Sequence, residues 1–126
     1  MVLRFSSPTG LALLPDGRVL VADEHNNRIR VLSADLQQVS TVAGDGEQGH
    51  RDGAAAQAQV RSPNGLALLT DGRVLLADLF NHRIRVLSAD LQQVSTVAGD
   101  GERGHRDGAA APVSYTHLTL PTRIRV

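Results

Sequence analysis

The chain has 126 residues, in which 13 arginines balance 13 acidic residues, and it contains no lysine and no cysteine. The neutral balance argues against a protein that relies on bulk positive charge to hold nucleic acid or an anionic membrane. The absence of cysteine excludes disulfides, thiolate metal sites and thiol nucleophiles. No apolar run approaches the roughly 20 residues of a transmembrane helix, and residues 1–5 lack the pattern of a secretory signal peptide.

An internal repeat with an offset of 55 residues dominates the sequence. Residues 7–56 align with residues 62–111 and differ at only seven of 50 positions, which indicates tandem duplication of one structural unit. The differing pairs are Thr9/Asn64, Pro15/Thr70, Val21/Leu76, Glu24/Leu79, His25/Phe80, Asn27/His82 and Gln48/Arg103.

Each copy predicts four short strands separated by turns. Asp16-Gly17 predicts a tight turn after the first strand, and residues 28–32 alternate with the period of two that is typical of a pleated strand. No segment of ten or more residues keeps a helical period without a glycine or a turn residue. Four antiparallel strands in succession are typical of one blade of a β-propeller. In the first copy the predicted strands are residues 11–14, 18–22, 28–32 and 39–43.

The repeated residues resemble the NHL repeat. The second copy contains the name-giving pair Asn81-His82 before Arg83-Ile84, and the first copy has Asn26-Asn27 before Arg28-Ile29. The resemblance covers residues 5–111 and implies an all-β fold, with two four-stranded antiparallel blades of an incomplete β-propeller. Each unit is longer than a usual NHL repeat because of an inserted glycine-rich loop, residues 44–53 in the first copy. Similar loops occur in long-repeat members of the family.

The repeat predicts four segments along the chain. Residues 1–6 end a preceding blade or linker, residues 7–61 form the first blade with its loop, and residues 62–111 form the second. The repeat breaks at Pro112, and residues 113–122 resemble the translation of a transposase adapter used in sequencing libraries. We therefore expect residues 112–126 to be a tail of non-native origin.

A propeller ring holds about 4–8 blades. We therefore expect the natural protein to contain further blades of the same chain. Two blades alone leave unpaired strand edges and an apolar flank on each blade, and we expect such a fragment to be unstable or to self-associate.

An acidic and a basic residue flank the turn between the second and third strands of each copy. Asp23 and Arg28 recur as Asp78 and Arg83. A carboxylate and a guanidinium on either side of a tight turn can pair and can also bind the backbone of the turn. An active site needs its residues only once, whereas these recur in each unit. We therefore predict that they form a structural clasp.

The other polar motifs do not assemble a catalytic or metal site. His50 and His105 each precede an aspartate by two residues, which offers two metal ligands where a closed zinc site needs four. The glycine-rich loop has neither the spacing of a calcium-binding loop nor the ending of a phosphate-binding loop. We therefore predict no cofactor and no catalytic residue in this sequence. The resemblance leaves open a propeller lyase or lactonase whose axial metal ion is held by further blades.

We predict a binding face at one edge of the blades. In an antiparallel meander, the turn after the second strand and the connection to the next blade lie at the same edge. Four of the seven differences between the copies fall in these segments, and two of them place Leu79 and Phe80 where the first copy is polar. Exposed apolar clusters often mark contacts. The candidate binding face consists of Glu24, His25, Asn27, Gln48, Leu79, Phe80, His82 and Arg103.

An alternative role for Leu79 and Phe80 is to pack beneath the neighbouring loop as a small satellite core. In that case the edge would contribute stability rather than binding.

These features predict a protein-interaction scaffold rather than an enzyme. Some NHL propellers bind RNA, and the arginines of the third strands could form a basic stripe for it. RNA recognition uses stacking aromatic side chains and phosphate-binding cations. Aromatic residues make up 2% of this chain and lysine is absent. We therefore expect a protein partner, with an RNA-binding propeller as an alternative. The arginines of the candidate stripe are Arg28, Arg30, Arg83 and Arg85. Because acidic residues match them in number, we expect these arginines to pair with aspartates between blades instead.

Overall fold

The computed structural model describes residues 4–99, and this part of the chain is all-β. It contains nine strands in two antiparallel sheets, together with three short 3₁₀ helices. The strands are β1 (Pro8–Leu13), β2 (Val19–Asp23), β3 (Arg28–Leu32), β4 (Val39–Ala43), β5 (Gly53–Ala54), β6 (Pro63–Leu68), β7 (Val74–Asp78), β8 (Arg83–Leu87) and β9 (Gln93–Ala98). The 3₁₀ helices are Glu24–Asn26, Ala55–Gln57 and Leu79–Asn81.

The first sheet is a meander in which β1 to β4 pair in chain order. The predicted tight turn closes its first hairpin, where Gly17 has a φ of +94°, a conformation that glycine adopts without steric cost. The Asp16 carboxylate accepts a hydrogen bond from the Arg18 backbone N–H at 3.0 Å. This hydrogen bond lowers the pKa of Asp16. The turn therefore has the chemistry that the Asp-Gly pair predicted.

The second sheet repeats this meander and adds a fifth strand at its outer edge. β5 pairs with β9 through Gly53 opposite Val94 and Ala54 opposite Gln93. The sequence predicted four strands per blade and assigned residues 44–61 to the first unit, whereas the pairing places β5 in the second sheet. Glycine and alanine have low strand propensity, so the sequence carried no signal for this strand. The loop of the first blade thus extends the second.

The apolar core lies between the two sheets. Alternation along β2 and β3 directs Leu20, Ala22 and Ile29 toward the second blade, and all three are completely buried. Val74 and Leu76 of β7 belong to the same apolar cluster. Burying each large side chain stabilises the fold by about 1.5–3 kcal/mol. One core therefore holds the two blades together.

The inner strands of the two blades, β1 and β6, approach closely at a glycine. A Cβ atom added to Gly10 would lie 3.1 Å from the Gly65 Cα and 3.3 Å from the Leu66 backbone nitrogen. A Cβ added to Gly65 would meet only the Ala77 Cβ, at an ordinary 3.7 Å. The same position in the repeat is therefore crowded in the first blade and open in the second.

Within residues 4–99, no helix is long and apolar enough to cross a membrane. The tail proposed at residues 112–126 lies outside the described residues, as do Arg103 and His105.

We predict that Gly10→Ala lowers the free energy of unfolding by about 1–3 kcal/mol, because the added methyl group must push backbone apart between the blades. Gly65→Ala is the matched control, and it should change this free energy by less than about 1 kcal/mol. Urea denaturation of both variants measures the difference. Equal losses of unfolding free energy in the two variants would mean that the space between β1 and β6 at Gly10 is not limiting.

Candidate functional site

Each blade contains a buried aspartate at the end of its second strand. Asp78 is 1% exposed. Its carboxylate accepts hydrogen bonds from the Arg61 backbone N–H at 2.7 Å, the Asn81 side-chain amide at 2.7 Å and the Arg85 guanidinium at 2.8 Å. The carboxylate thereby ties the segment before the blade, the 3₁₀ helix and the third strand together. The equivalent residues of the first blade are Asp23, Ser6, Asn26 and Arg30.

The basic partner in the first blade is Arg30 rather than the predicted Arg28. Asp23 Oδ2 lies 3.0 Å from Arg30 Nη1. Arg28 instead donates to the Asp45 backbone carbonyl of the glycine-rich loop at 3.3 Å. Asp23 therefore forms an ion pair as predicted, but its partner is Arg30 and not Arg28.

The second blade shows the same correction, since Asp78 pairs with Arg85 rather than with the predicted Arg83. Asp78 and Arg83 are direct neighbours across the strand pair. Arg85 lies one position further along the same face, because side chains on a strand alternate. A long guanidinium side chain reaches this diagonal position. The arginine that pairs with the buried aspartate is therefore the second one of Arg-Ile-Arg, two residues after the one predicted.

The loop of the first blade also reaches the buried arginine of the second. Asp52 Oδ1 lies 2.7 Å from Arg85 Nη2 and 3.2 Å from Arg85 Nε. The backbone carbonyls of Arg51 and Gln59 each accept a further hydrogen bond from the Arg85 guanidinium at 2.9 Å. The Arg85 side chain is consequently 0% exposed. The expected pairing of a third-strand arginine with an aspartate between blades is thus found at Arg85, although the sequence did not indicate Asp52 as its partner.

A second polar contact joins the same loop to β9 of the second blade. His50 Nε2 lies 3.0 Å from the Thr96 hydroxyl, which also lies 3.1 Å from Asp52 Oδ1. Partial burial, together with the positive charges of Arg85 and Arg83, holds the pKa of His50 below its ordinary value. Within residues 4–99, no group of three or more His, Cys, Asp or Glu side chains is arranged to hold a metal ion. The hydrogen bonds of His50 and Asp52 to Thr96 hold the loop against the second blade.

The turn after the second strand and the glycine-rich loop meet at one edge of the blades. The Asn81 side-chain amide donates to the Gly49 carbonyl at 2.7 Å, which joins the 3₁₀ helix of the second blade to the loop of the first. Asp45 within the loop accepts from the Glu47 backbone N–H and the Gln59 amide, and these contacts lower its pKa. The loop is thus ordered by its own hydrogen bonds.

The members of the candidate binding face differ in their exposure. Asn27 is 6% exposed, and its side-chain oxygen accepts from the Ser62 backbone N–H at 3.0 Å. It therefore joins the blades and is not part of an exposed face. Glu24 is partly covered, Arg103 lies outside the described residues, and the side chains of the others reach solvent. These exposed members are His25, Gln48, Leu79, Phe80 and His82.

Leu79 and Phe80 stand side by side on the 3₁₀ helix of the second blade and are 43% and 53% exposed. They are therefore not a buried satellite core. The Phe80 backbone N–H donates to the Arg61 carbonyl at 3.2 Å, and the Arg61 guanidinium lies 5.5 Å from the centre of the Phe80 ring. This contact is a cation–π interaction. The backbone beneath the two apolar side chains is therefore held in place.

We predict that Arg85→Met lowers the free energy of unfolding by about 3–5 kcal/mol, because Asp78 is left as a buried carboxylate without its cation. Arg18→Met is the control, since it breaks the exposed pair with Asp16, in which the side chains are 41% and 55% exposed. That variant should change stability little. Chemical denaturation compares the two, and similar losses would contradict a special role for the buried pair.

We also predict that His50 makes the fold sensitive to mild acid. Because its pKa is lower in the folded chain than the ordinary 6.5, the folded state favours the neutral imidazole. Its contribution to stability is complete above pH 6.5 and is lost as the pH falls through the lowered pKa. Between about pH 7.5 and about pH 5, His50→Gln should therefore lose less stability than the parent chain. Parallel pH profiles of thermal unfolding would contradict this.

Comparison with known proteins places the repeat in a family. The family model described as NHL repeat matches residues 5–32 and 60–87, which are separated by the offset of the internal repeat. Protein SUPPRESSOR OF QUENCHING 1, chloroplastic, from Arabidopsis thaliana is 31% identical over 113 residues, covering 82% of this chain and 11% of that protein. NHL repeat-containing protein 2 from Gallus gallus is 35% identical over 94 residues, covering 74% of this chain and 13% of that protein. The chain thus spans little more than a tenth of these relatives.

A similar fold occurs among solved structures. A structural genomics protein of unknown function from Bacteroides thetaiotaomicron superposes with a TM-score of 0.65 at 26% identity, covering 71% of this chain and 23% of that chain. The superposition and the two sheets agree with the predicted propeller blades. With two repeat matches at the spacing of its own duplication, the chain belongs to the NHL-repeat family of β-propeller proteins.

Proposed function

We propose that this chain is part of a protein-interaction scaffold and that it binds a protein partner through the edge formed by Leu79, Phe80, His82 and Gln48. We call this edge the tip surface. The observation that carries the proposal is the exposure of Leu79 and Phe80, at 43% and 53%, where the first blade has Glu24 and His25. The two blades are otherwise nearly identical, so this pair makes the two edges chemically different.

The hydrogen bonds that hold the backbone of the tip surface favour a binding role. Phe80 projects from a backbone that is held by Arg61, and Asn81 is bonded to both Asp78 and the Gly49 carbonyl. A side chain on a fixed backbone loses little conformational freedom when a partner covers it. Aromatic side chains with this kind of support are frequent among the residues that dominate binding energy.

The charge around the tip surface indicates the chemistry of the partner. Arg61 is exposed and stacks near the Phe80 ring. A partner segment with an apolar side chain beside a carboxylate would cover Phe80 and pair with Arg61. Such a contact combines apolar burial with an ion pair at its rim.

The burial and pairing of the arginines support a protein partner better than they support RNA. Arg85 is completely buried in pairs with Asp78 and Asp52, and Arg30 is paired with Asp23. These arginines are therefore used within the blades and are not arranged as a stripe for phosphates. No observation on the described residues favours the lyase or lactonase.

We predict that Leu79→Glu combined with Phe80→His, which copies the first blade, weakens partner binding by about ten-fold or more. A photoreactive amino acid at position 79 identifies the partner by crosslinking, and calorimetry with the purified partner measures the affinity. Because both side chains are largely exposed, the double variant should unfold at nearly the same temperature as the parent chain.

Leu36→Glu is the matched control, because Leu36 is 57% exposed in the turn between β3 and β4 and lies outside the tip surface. It should leave the affinity unchanged. An unchanged affinity in the double variant would contradict the proposal. A loss of several kcal/mol in its stability would instead assign Leu79 and Phe80 a structural role.

A further inference from the structure

A short part of the glycine-rich loop crosses from the tip of one blade to the tip of the next. The Gly46 carbonyl accepts a hydrogen bond from the Asn27 side-chain amide of the first blade at 3.4 Å. The Gly49 carbonyl accepts one from the Asn81 side-chain amide of the second blade at 2.7 Å. We call residues 46–49 the bridge. Each of its ends contacts a described blade, and the second end lies at Asn81, next to Phe80 of the tip surface.

The bridge is held in place by the residues around it. The Glu47 backbone N–H donates to the Asp45 carboxylate at 2.9 Å, and the other oxygen of that carboxylate accepts from the Gln59 amide at 3.1 Å. The Arg28 guanidinium donates to the Asp45 backbone carbonyl at 3.3 Å. A surface whose backbone is fixed in this way loses little conformational freedom when a partner covers it.

Glu47 differs from the other acidic residues of the described chain in having no partner for its side chain. Within residues 4–99, each of the others accepts a hydrogen bond or contacts a basic side chain. The Glu47 carboxylate makes no such contact in this part of the chain, and the residue is exposed. Water can solvate an exposed carboxylate, so the informative feature is its place on the bridge beside the tip surface. The partnered acids are Asp16, Asp23, Glu24, Asp35, Asp45, Asp52, Asp71, Asp78 and Asp90.

The tip surface also has a cation without an acidic partner. Arg61 is exposed, and its guanidinium lies 5.5 Å from the centre of the Phe80 ring. Within residues 4–99 this guanidinium donates no hydrogen bond. Leu79 and Phe80 therefore have a positive group in contact with them and a negative group on the bridge. Opposite charges around an apolar contact fix the orientation of a bound segment and disfavour segments of the reverse charge.

The backbone of the bridge favours a segment in an extended conformation. Gln48 is exposed, and its backbone N–H and C=O make no hydrogen bond within the described residues. An extended segment can pair its own backbone with such groups, whereas a helix uses its backbone groups internally. The path from Glu47 through Gly49 and Asn81 to Phe80 is at most roughly 20 Å, which an extended segment of about six residues covers.

We propose that the bridge and the tip surface together bind one extended segment of the partner protein. The segment has an apolar anchor on Leu79 and Phe80, an acidic residue next to the anchor for Arg61, and a lysine or arginine within about six residues of the anchor for Glu47. This specificity rests on the proposed function of the tip surface, and it adds Glu47 as the residue that selects the charge of the segment.

The first experiment selects the segment from a phage-displayed library of random peptides of about twelve residues, with the complete chain as the target. Peptides that fail to bind the double variant Leu79→Glu with Phe80→His are the ones that use the tip surface. These peptides should share an acidic residue next to an apolar one, with a lysine or arginine within about six residues. Peptides that use the tip surface without a shared basic residue would overturn the proposed specificity.

The second experiment measures the affinity of a selected peptide by calorimetry. Glu47→Arg should weaken binding by about ten-fold at low salt, and the loss should shrink at high salt because the charges are exposed. Replacing the basic residue of the peptide by glutamate should weaken binding to the parent chain and restore binding to Glu47→Arg. Because the Glu47 side chain has no partner in the described chain, the variant should unfold at the parent temperature. A loss of affinity that the reversed peptide does not restore would count against a direct ion pair.

A matched control separates the local charge from the net charge. Glu47→Gln and Gln37→Arg each raise the net charge by one, and Gln37 is exposed in the turn between β3 and β4. Glu47→Gln should weaken binding by about three-fold, and Gln37→Arg should leave the affinity unchanged. Equal effects of the two variants would contradict selection by Glu47.

The specificity of the bridge and the function of the tip surface can fail separately. If peptides bind through Leu79 and Phe80 and Glu47→Arg binds them as the parent does, the role of the bridge is wrong and the tip surface stands. If the selection yields no peptide that depends on Leu79 and Phe80, both are wrong.

Discussion

The buried ion pair between Asp78 and Arg85 is the interaction on which the arrangement of the two blades depends. A carboxylate that is 1% exposed is stable only if hydrogen bonds and a cation replace its water. Its three donors come from the segment before the blade, the 3₁₀ helix and β8. One side chain thus determines how three separate parts of a blade meet.

The arginine of this pair extends the same constraint to the neighbouring blade. Its guanidinium has more donors than one aspartate can accept, and the remaining donors are satisfied by Asp52 and by backbone carbonyls of the preceding loop. The glycine-rich insertion is therefore a structural link, and β5 continues it as a strand on the next sheet. In the second blade, the loop of the first blade therefore completes the hydrogen bonding of the buried arginine.

The sequence predicted the parts of the fold that depend on local pattern. Alternation and the Asp-Gly turns gave the four strands of each meander, and the offset of 55 residues gave two equivalent blades. The parts that were missed depend on contacts between blades. β5 has only two residues and no periodicity. Arg30 was not assigned to the clasp because Arg28 is the basic residue that flanks the turn and lies opposite Asp23. The burial of Asn27 accompanies its hydrogen bond to Ser62 of the next blade.

A comparison of the two blades separates residues with a structural role from candidates for function. The equivalents of Asp23, Asn26 and Arg30 make the same contacts in the second blade, so these residues have a structural role in both blades. Leu79 and Phe80 have no such constraint, because the first blade forms the same 3₁₀ helix with Glu24 and His25. Since the backbone accepts either pair, the structure does not require two exposed apolar side chains at this edge. The proposal that they bind a partner depends on this freedom, because a replacement of either side chain is expected to leave the blade itself unchanged.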